Sequence, residues 1–311
     1  MEFLYVLESI RCPFLDAVMS VITYLGSEAL FMVAALVTFW CIDKKYGYYV
    51  LTVGFAGTII SQLLKLVFRI PRPWVRDPEF TIVESARADA GGYSFPSGHT
   101  QNVTSYLGCA ARVTKKTVWR IILIILILLT AFSRMYLGVH TPADVLTGLI
   151  TGAILVLVLY PVFQKGYSSP KFMYVVFSIM LLLSAAYTAF TELYPWPADI
   201  DPENLAEGIK NGWSLTGACA GMFLSYHIDR KYINFKTEAP LPAQIFKSVF
   251  GIVIAVAVKT VLKAPFGFIF RGSGAAHGLR YFIMVIFAAC LWPMLFPRIS
   301  ALFNRKKQRS H

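Results

Sequence analysis

Long apolar segments recur along the whole of this 311-residue chain, and they limit what it can fold into. Two of them run from 119 to 132 and from 153 to 163. Hydrophobic residues make up 57% of the chain. Charged residues make up 15%, compared with about 25% in a typical soluble domain. Because a helix needs roughly 20 mostly apolar residues to cross a bilayer, the sequence predicts an all-α, polytopic membrane protein.

The hydropathy pattern predicts a short amphipathic segment followed by nine membrane-spanning helices. The segment lies at about 4–24, and the predicted spans lie at 27–42, 48–69, 98–114, 117–134, 141–163, 171–192, 210–228, 243–264 and 276–297. We therefore expect an N-terminal segment (1–26), a six-span core (27–192) and a C-terminal membrane region of about three further spans (193–311). The third span is short for a bilayer, so we expect other helices to shield it.

The distribution of basic residues predicts the orientation of these spans. One side holds the loops at 43–47, 112–120, 165–171 and 229–247 and the C-terminal tail, including 305–307. It carries 17 of the 29 basic residues but only 3 of the 17 acidic ones. Basic residues favour cytoplasmic loops, so we expect the C-terminus inside and the N-terminus outside. The net charge of +12 then reflects topology and attraction to anionic lipid, not nucleic-acid binding.

Three segments place ionisable residues at the outer ends of the predicted spans. They are Lys65-Leu-Val-Phe-Arg-Ile-Pro-Arg72-Pro73, Pro96-Ser97-Gly98-His99 and Ser133-Arg134-Met-Tyr-Leu-Gly-Val-His140-Thr-Pro-Ala-Asp144. Arg guanidinium groups match phosphate oxygens bidentately, and Lys adds a point charge. The helix start at Ser97 and Gly98 offers free backbone N–H groups to an anion. His99 and His140 can supply an acid and a nucleophile, and Asp144 can orient His140.

Each of these residues also has an ordinary structural explanation. Lys65 can extend to the membrane interface, and Arg134 can complement the C-terminal end of its helix. Ser97 can serve only as a helix N-cap. Thr141 and Asp144 resemble the start of a helix, with Asp144 as the acidic member of a capping box. The sequence leaves both the structural and the catalytic role open for Asp144.

The three segments together fix eleven residue identities at set spacings. The pattern is Lys-x6-Arg-Pro, then Pro-Ser-Gly-His, then Ser-Arg-x5-His-x3-Asp. It resembles the signature of the type 2 phosphatidic acid phosphatase (lipid phosphate phosphatase) superfamily, and all eleven positions match. The resemblance covers about residues 27–165 and favours a membrane-bound enzyme of bacterial type.

The resemblance implies a role for each matching side chain. His140 would attack phosphorus and become phosphohistidine, His99 would protonate the leaving oxygen, and Asp144 would orient His140. The phosphoryl oxygens would be held by Lys65, Arg72, Ser97, Gly98 and Arg134. Because these cations would take the place of metal ions, the resemblance implies a phosphatase without a metal or another cofactor.

The last third of the chain carries weaker signals. His277 and Arg280 are three residues apart and could share one face of a helix. Together with Arg271 they are candidate contacts for a lipid headgroup or a second phosphate. Anchoring at the membrane interface is the alternative explanation for these cations. The five cysteines are scattered singly, and no pair has metal-ligand spacing.

These observations predict hydrolysis of a lipid phosphate or pyrophosphate, with undecaprenyl pyrophosphate the best candidate, at the outer face of a bacterial plasma membrane. Phosphatidic acid and phosphatidylglycerol phosphate are alternatives, and so is a sugar phosphate, since glucose-6-phosphatase resembles the chain in its motifs. Vanadium-dependent haloperoxidases share the site but are soluble. A non-catalytic lipid-binding protein would be expected to lose His140 or Asp144. We expect a membrane lipid as substrate and no obligate protein partner; the oligomeric state stays open.

Overall fold

The protein is helical in every part that the structure describes. The computed structural model describes residues 1–309, with side chains as far as Asn304. The side chains of the basic cluster at 305–307 and the C-terminal residues 310–311 lie outside the described residues. No strand occurs within residues 1–309, which confirms the all-α prediction. Six helices are long and apolar enough to cross a membrane. A pair of helices joined by a bend near the N-terminus would make a seventh span if the two together count as one.

The helices are numbered in chain order. Their bounds are α1 Glu2–Ser9, α2 Pro13–Thr23, α3 Glu28–Val37, α4 Lys44–Phe68, α5 Pro73–Arg76, α6 Gly98–Val113, α7 Thr117–Tyr136, α8 Pro142–Gly166, α9 Pro170–Leu193, α10 Pro202–Ile228, α11 Leu241–Val261, α12 Lys263–Ile269, α13 Gly274–Ile286 and α14 Phe296–Arg309. Short 3-10 or π-helical segments extend several of them.

The nine predicted spans all fall on helices, but three details differ from the prediction. The predicted amphipathic segment forms α1 and α2, and Pro13–Gly26 joins Glu28–Ile42 in a pair bent by 49°. Helix α6 has only 16 residues, and α10 begins with a polar stretch. Neither α6 nor α10 is therefore among the helices long and apolar enough to span alone.

The chain forms two compact units. The first consists of Met1–Met32, Tyr49–Lys165 and Pro195–Gly208, and the second consists of Val33–Tyr48, Gly166–Tyr194 and Ile209–His311. All eleven motif residues belong to the first unit. The predicted division at residues 26 and 192 stays a prediction.

Helix α6 lies at the centre of the first unit. It packs against α7 and against the 3-10 turn Tyr24–Gly26, and eight of its 16 residues are buried. Helix α8 approaches α6 through two glycines. A Cβ on Gly148 would lie 2.8 Å from the Ser97 carbonyl oxygen, and one on Gly152 would lie 2.8 Å from the Thr104 side chain. Small residues allow such close helix contacts in membranes. The two glycines therefore let α8 lie close against α6 and its N-cap.

The second unit has its own polar and aromatic core. The fully buried Lys247 donates to the carbonyl oxygens of Trp40, at 3.2 Å, and Thr237, at 3.0 Å. Its ammonium also lies 4.5 Å from the centre of the Phe296 ring. Buried charges are tolerated when they are paired and hydrogen-bonded in this way. Lys247 is therefore a structural cation.

Candidate active site

His140 and Asp144 form a buried pair at the start of α8. His140 Nδ1 lies 3.4 Å from Asp144 Oδ2, and the two side chains are 2% and 1% exposed. The same carboxylate oxygen accepts from the Thr141 backbone N–H at 2.7 Å, and Thr141 Oγ1 accepts from the Asp144 N–H at 3.4 Å. Asp144 therefore pairs with Thr141 as the acidic member of a capping box and also contacts the histidine ring. The structural role is present in the fold, and the catalytic role stays a prediction.

Ser94 also contacts this carboxylate, and sequence reasoning missed it. The buried Ser94 hydroxyl donates to Asp144 Oδ2 at 2.6 Å. Its backbone N–H donates to the Ile70 carbonyl oxygen at 2.8 Å, and the Ser97 N–H donates to the Asp144 carbonyl oxygen at 3.0 Å. These bonds tie the loop before α6 to the start of α8. In the sequence, the only indication of a contact with Asp144 was a hydroxyl residue three positions before Ser97.

Arg72 contacts the other nitrogen of the His140 ring. Its NH1 lies 2.9 Å from His140 Nε2 and 3.0 Å from the Val139 carbonyl oxygen. Its Nε and NH2 donate to the carbonyl oxygens of Gly92, at 3.0 Å, and Gly91, at 2.6 Å. A guanidinium only donates, so the contact requires a lone pair on Nε2. The ring proton then lies on Nδ1, facing Asp144.

The electrostatic surroundings also favour a neutral His140. This residue lies in the short connection between α7 and α8, outside the membrane-spanning segments. Burial lowers the pKa of His140 well below its ordinary value, and the positive charges of Arg72, Arg134 and Lys65 lower it further. The imidazole is therefore unprotonated on Nε2 at neutral pH, as a nucleophile must be.

Arg134 and His99 have buried polar atoms without a partner. Arg134 is fully buried, and its NH1 donates to Thr23 Oγ1 at 2.7 Å. Its Nε and NH2 have no hydrogen-bond partner, and neither has His99 Nε2. Leaving a buried polar group unpaired costs about 1–3 kcal/mol. An anion with several acceptor oxygens is the kind of ligand that would satisfy these atoms.

The start of α6 completes the arrangement. Ser97 is the N-cap, since its Oγ accepts from the Thr100 N–H at 3.4 Å and from Thr100 Oγ1 at 2.9 Å. A Cβ added to Gly98 would meet no heavy atom within 4 Å, so the first turn is accessible to a ligand. The Lys65 ammonium donates to the Tyr93 carbonyl oxygen at 2.5 Å. A helix start of this kind attracts anions.

The other predicted contacts lie in the second unit. Arg280 NH2 lies 3.0 Å from His277 Nδ1, so these two residues share a face of α13 as predicted. Arg271 is exposed and does not line the cavity that they line. A headgroup role for the three residues stays a prediction.

Comparison with known proteins identifies the family. Residues 45–168 match the PAP2 superfamily, and residues 213–306 match the transmembrane extension of PAP2 superfamily phosphatases. Undecaprenyl-diphosphatase BcrC of Bacillus subtilis is 34% identical over 145 residues, which cover 45% of this chain and 71% of that protein. An undecaprenyl-diphosphatase of Sulfolobus acidocaldarius is 28% identical over 45% of this chain and 66% of its own length.

Another relative is named for a different lipid. A dihydrosphingosine 1-phosphate phosphatase of Schizosaccharomyces pombe is 28% identical over 64% of this chain, and the match spans only 50% of that protein. No solved structure matches the chain significantly. The two family matches, the BcrC similarity and the apolar helices lead to one conclusion: the chain is an integral membrane protein that belongs to the PAP2 superfamily of phosphatases.

Proposed function

We propose that this PAP2 phosphatase removes phosphate from a lipid pyrophosphate, with undecaprenyl pyrophosphate as the first candidate, through a phosphohistidine intermediate. The observation that carries the proposal is the buried His140 ring, with Arg72 NH1 2.9 Å from Nε2 and Asp144 beside Nδ1. The Nε2 lone pair accepts from Arg72 in the substrate-free protein. A bound phosphate would draw this Arg72 donor to a phosphoryl oxygen and so free the lone pair to attack phosphorus.

In the proposed first step, His140 Nε2 forms a bond to phosphorus while the bond to the leaving oxygen breaks. Burial and the charges of Arg134, Arg72 and Lys65 lower the pKa of His99 in the substrate-free protein, so the negative charge of the bound substrate would have to stabilise its protonated form. Protonated His99 then donates a proton to the leaving oxygen, and Asp144 stabilises the positive charge that develops on the His140 ring. In the second step, water attacks the phosphohistidine, and His99 accepts the proton of the water. Inorganic phosphate leaves, and both histidines return to their initial protonation states.

The phosphoryl oxygens would be bound by donors that the protein already holds in place. Arg134 offers its two unpartnered nitrogens, and Arg72 lies next to Nε2. Catalysis of phosphoryl transfer depends mainly on positioning and charge stabilisation. Fixed cations of this kind would supply both.

The fixed cations Arg72 and Arg134 predict catalysis without a metal ion, because they would stabilise the charge of the transferring phosphoryl group. Activity is expected to persist after dialysis against EDTA and to fall with vanadate, which mimics the phosphoryl transition state. Phosphate release should be measured before and after chelation in detergent solution. An enzyme that is inactive after chelation and recovers only with magnesium would contradict the proposal.

The substrate proposal rests on the lipid setting and on the relatives, two of which are named as undecaprenyl-diphosphatases. We expect kcat/KM to be highest for undecaprenyl pyrophosphate in a panel with phosphatidic acid, phosphatidylglycerol phosphate and glucose 6-phosphate. The sphingosine-type relative makes lipid monophosphates the second candidate. A preference for phosphatidic acid would select that alternative, and a preference for glucose 6-phosphate would exclude a lipid substrate.

The active site is proposed to face outwards from a bacterial plasma membrane, with the N-terminus outside and the C-terminus inside. The 17-to-12 division of basic residues supports this orientation. In a Cys12→Ser background, a membrane-impermeant thiol reagent should label Ala198→Cys in intact cells. It should label Ser168→Cys, which lies in the loop between α8 and α9, only after lysis. The opposite pattern of labelling would reverse the topology.

A further inference from the structure

The second unit contains a cavity of about 130 Å³ beside α12 and the start of α13. Its lining combines cationic, aromatic and small residues: Lys263, Phe266, Gly267, Gly272, Ala276, His277 and Arg280. Every ionisable residue in this lining is a Lys, Arg or His. The cavity is lined entirely by residues 263–280, all of which belong to the second unit.

Arg280 is one of the residues that line this cavity. It is 7% exposed, and its Nε is buried without a hydrogen-bond partner. Its NH2 lies 3.0 Å from His277 Nδ1. Because a guanidinium only donates, Nδ1 must accept, and the ring proton of neutral His277 then lies on Nε2. Arg280 thus has a buried donor that no group of the described chain satisfies.

Further positive charge surrounds the pair. Lys263 and Lys210 both act electrostatically on His277. Within residues 1–304, neither Arg280 nor Lys263 forms a salt bridge with a carboxylate. The preceding N-cap, Ser273, makes no side-chain cap bond to α13, which leaves the backbone N–H groups of its first turn uncapped by that side chain. A buried guanidinium lowers the stability of the fold unless an anion pairs with it.

We propose that this cavity is a second anion-binding site, and that it binds a phosphate group carried by a lipid headgroup or free in solution. Arg280 and His277 would donate to the phosphate oxygens, and Lys263 would contribute charge at the entrance. Its lining shares no residue with the site around His140, and the proposal does not depend on which residue is the nucleophile. Phe268 and Ile269, which are 87% and 63% exposed on α12, provide an apolar surface suited to lipid chains.

Hydrogen–deuterium exchange of the full-length protein in nanodiscs can test the site. In one arm, inorganic phosphate is added to protein in phosphatidylcholine nanodiscs. In the other, the nanodiscs contain a phosphonate analogue of phosphatidic acid, which the enzyme cannot hydrolyse, and no free phosphate. Exchange is followed in peptides from 263–286. Both probes bind without turnover, so failure of the catalytic proposal would leave this test unaffected.

We expect slower exchange in this segment in at least one arm. Arg280→Gln and Lys263→Gln should each raise the half-saturating concentration of the probe about tenfold, the usual effect of losing a charge-assisted hydrogen bond. Lys236→Gln removes an exposed cation of the second unit that does not line the cavity, and it should leave the response unchanged. A response to the phosphonate lipid alone identifies a headgroup site, and a response to inorganic phosphate alone identifies a site for a soluble anion. The proposal is overturned if neither probe slows exchange, or if Lys236→Gln weakens the response as much as Arg280→Gln and Lys263→Gln do.

Discussion

Replacing His140 with alanine is expected to lower kcat on the order of 10⁴-fold or more, the usual consequence of removing a nucleophile. The variant lacks the Nε2 lone pair, so no phosphohistidine can form. Arg72 should keep its place, since its guanidinium still donates to the carbonyl oxygens of Val139, Gly92 and Gly91. Phosphate release and far-UV circular dichroism, measured on the same preparation, check activity and fold separately.

Two further variants distinguish the nucleophile from the residues that orient it. Asp144→Asn should lose much of the activity but keep a measurable part, because the ring remains while its orientation and charge stabilisation weaken. Ser94→Ala removes one of the donors to the same carboxylate and should cost less than Asp144→Asn. Rapid quenching with radiolabelled substrate should trap phosphoprotein in the wild type and none in His140→Ala. Activity near the wild-type level in His140→Ala would exclude it as the nucleophile.

The contact between His140 and Asp144 could be predicted from the sequence because it is local, whereas the catalytic roles of the motif residues stay a prediction. His140 and Asp144 are four residues apart, so one turn at the start of α8 is enough to bring them together. The partners of these residues were not predictable. Thr23, which holds Arg134, is 111 positions away, and Ser94 is 50 positions from Asp144. Such contacts depend on how the helices pack, and no periodicity in a single sequence specifies that.

Hydropathy predicted where helices occur better than which of them can cross a membrane alone. The predicted third span became α6, whose buried side includes Thr100, Gln101 and Ser105. Thr100 Oγ1 donates to the hydroxyl of the N-cap Ser97. Gln101 Nε2 donates to the Ser105 hydroxyl, which in turn donates to the Gln101 carbonyl oxygen. This satisfies polar groups that lipid could not. A hydropathy profile scores these residues as unfavourable. The shortness of the predicted span, not its hydropathy, indicated that other helices shield it.

Replacing Arg134 with glutamine is expected to lower kcat/KM about 10³-fold, similar to the loss of a key oxyanion donor. Arg134 is fully buried, and its Nε and NH2 are without partners. A purely structural arginine would be paired throughout, so its removal would destabilise the fold. Removing a charge whose partner arrives only with substrate should instead leave the melting temperature unchanged or raise it.

Thermal unfolding with and without vanadate separates these two explanations. Vanadate should stabilise the wild type, because a ligand that binds only the folded state raises the melting temperature. Arg134→Gln should show little of this stabilisation. Arg134→Lys should restore it only in part, since an ammonium lacks the planar fork that binds two oxygens. Thr23→Ala, which removes only the hydroxyl that holds Arg134 NH1, should reduce kcat/KM less than Arg134→Gln. If Arg134→Gln instead unfolds at a much lower temperature and responds to vanadate like the wild type, Arg134 is structural and the phosphate is held by other residues.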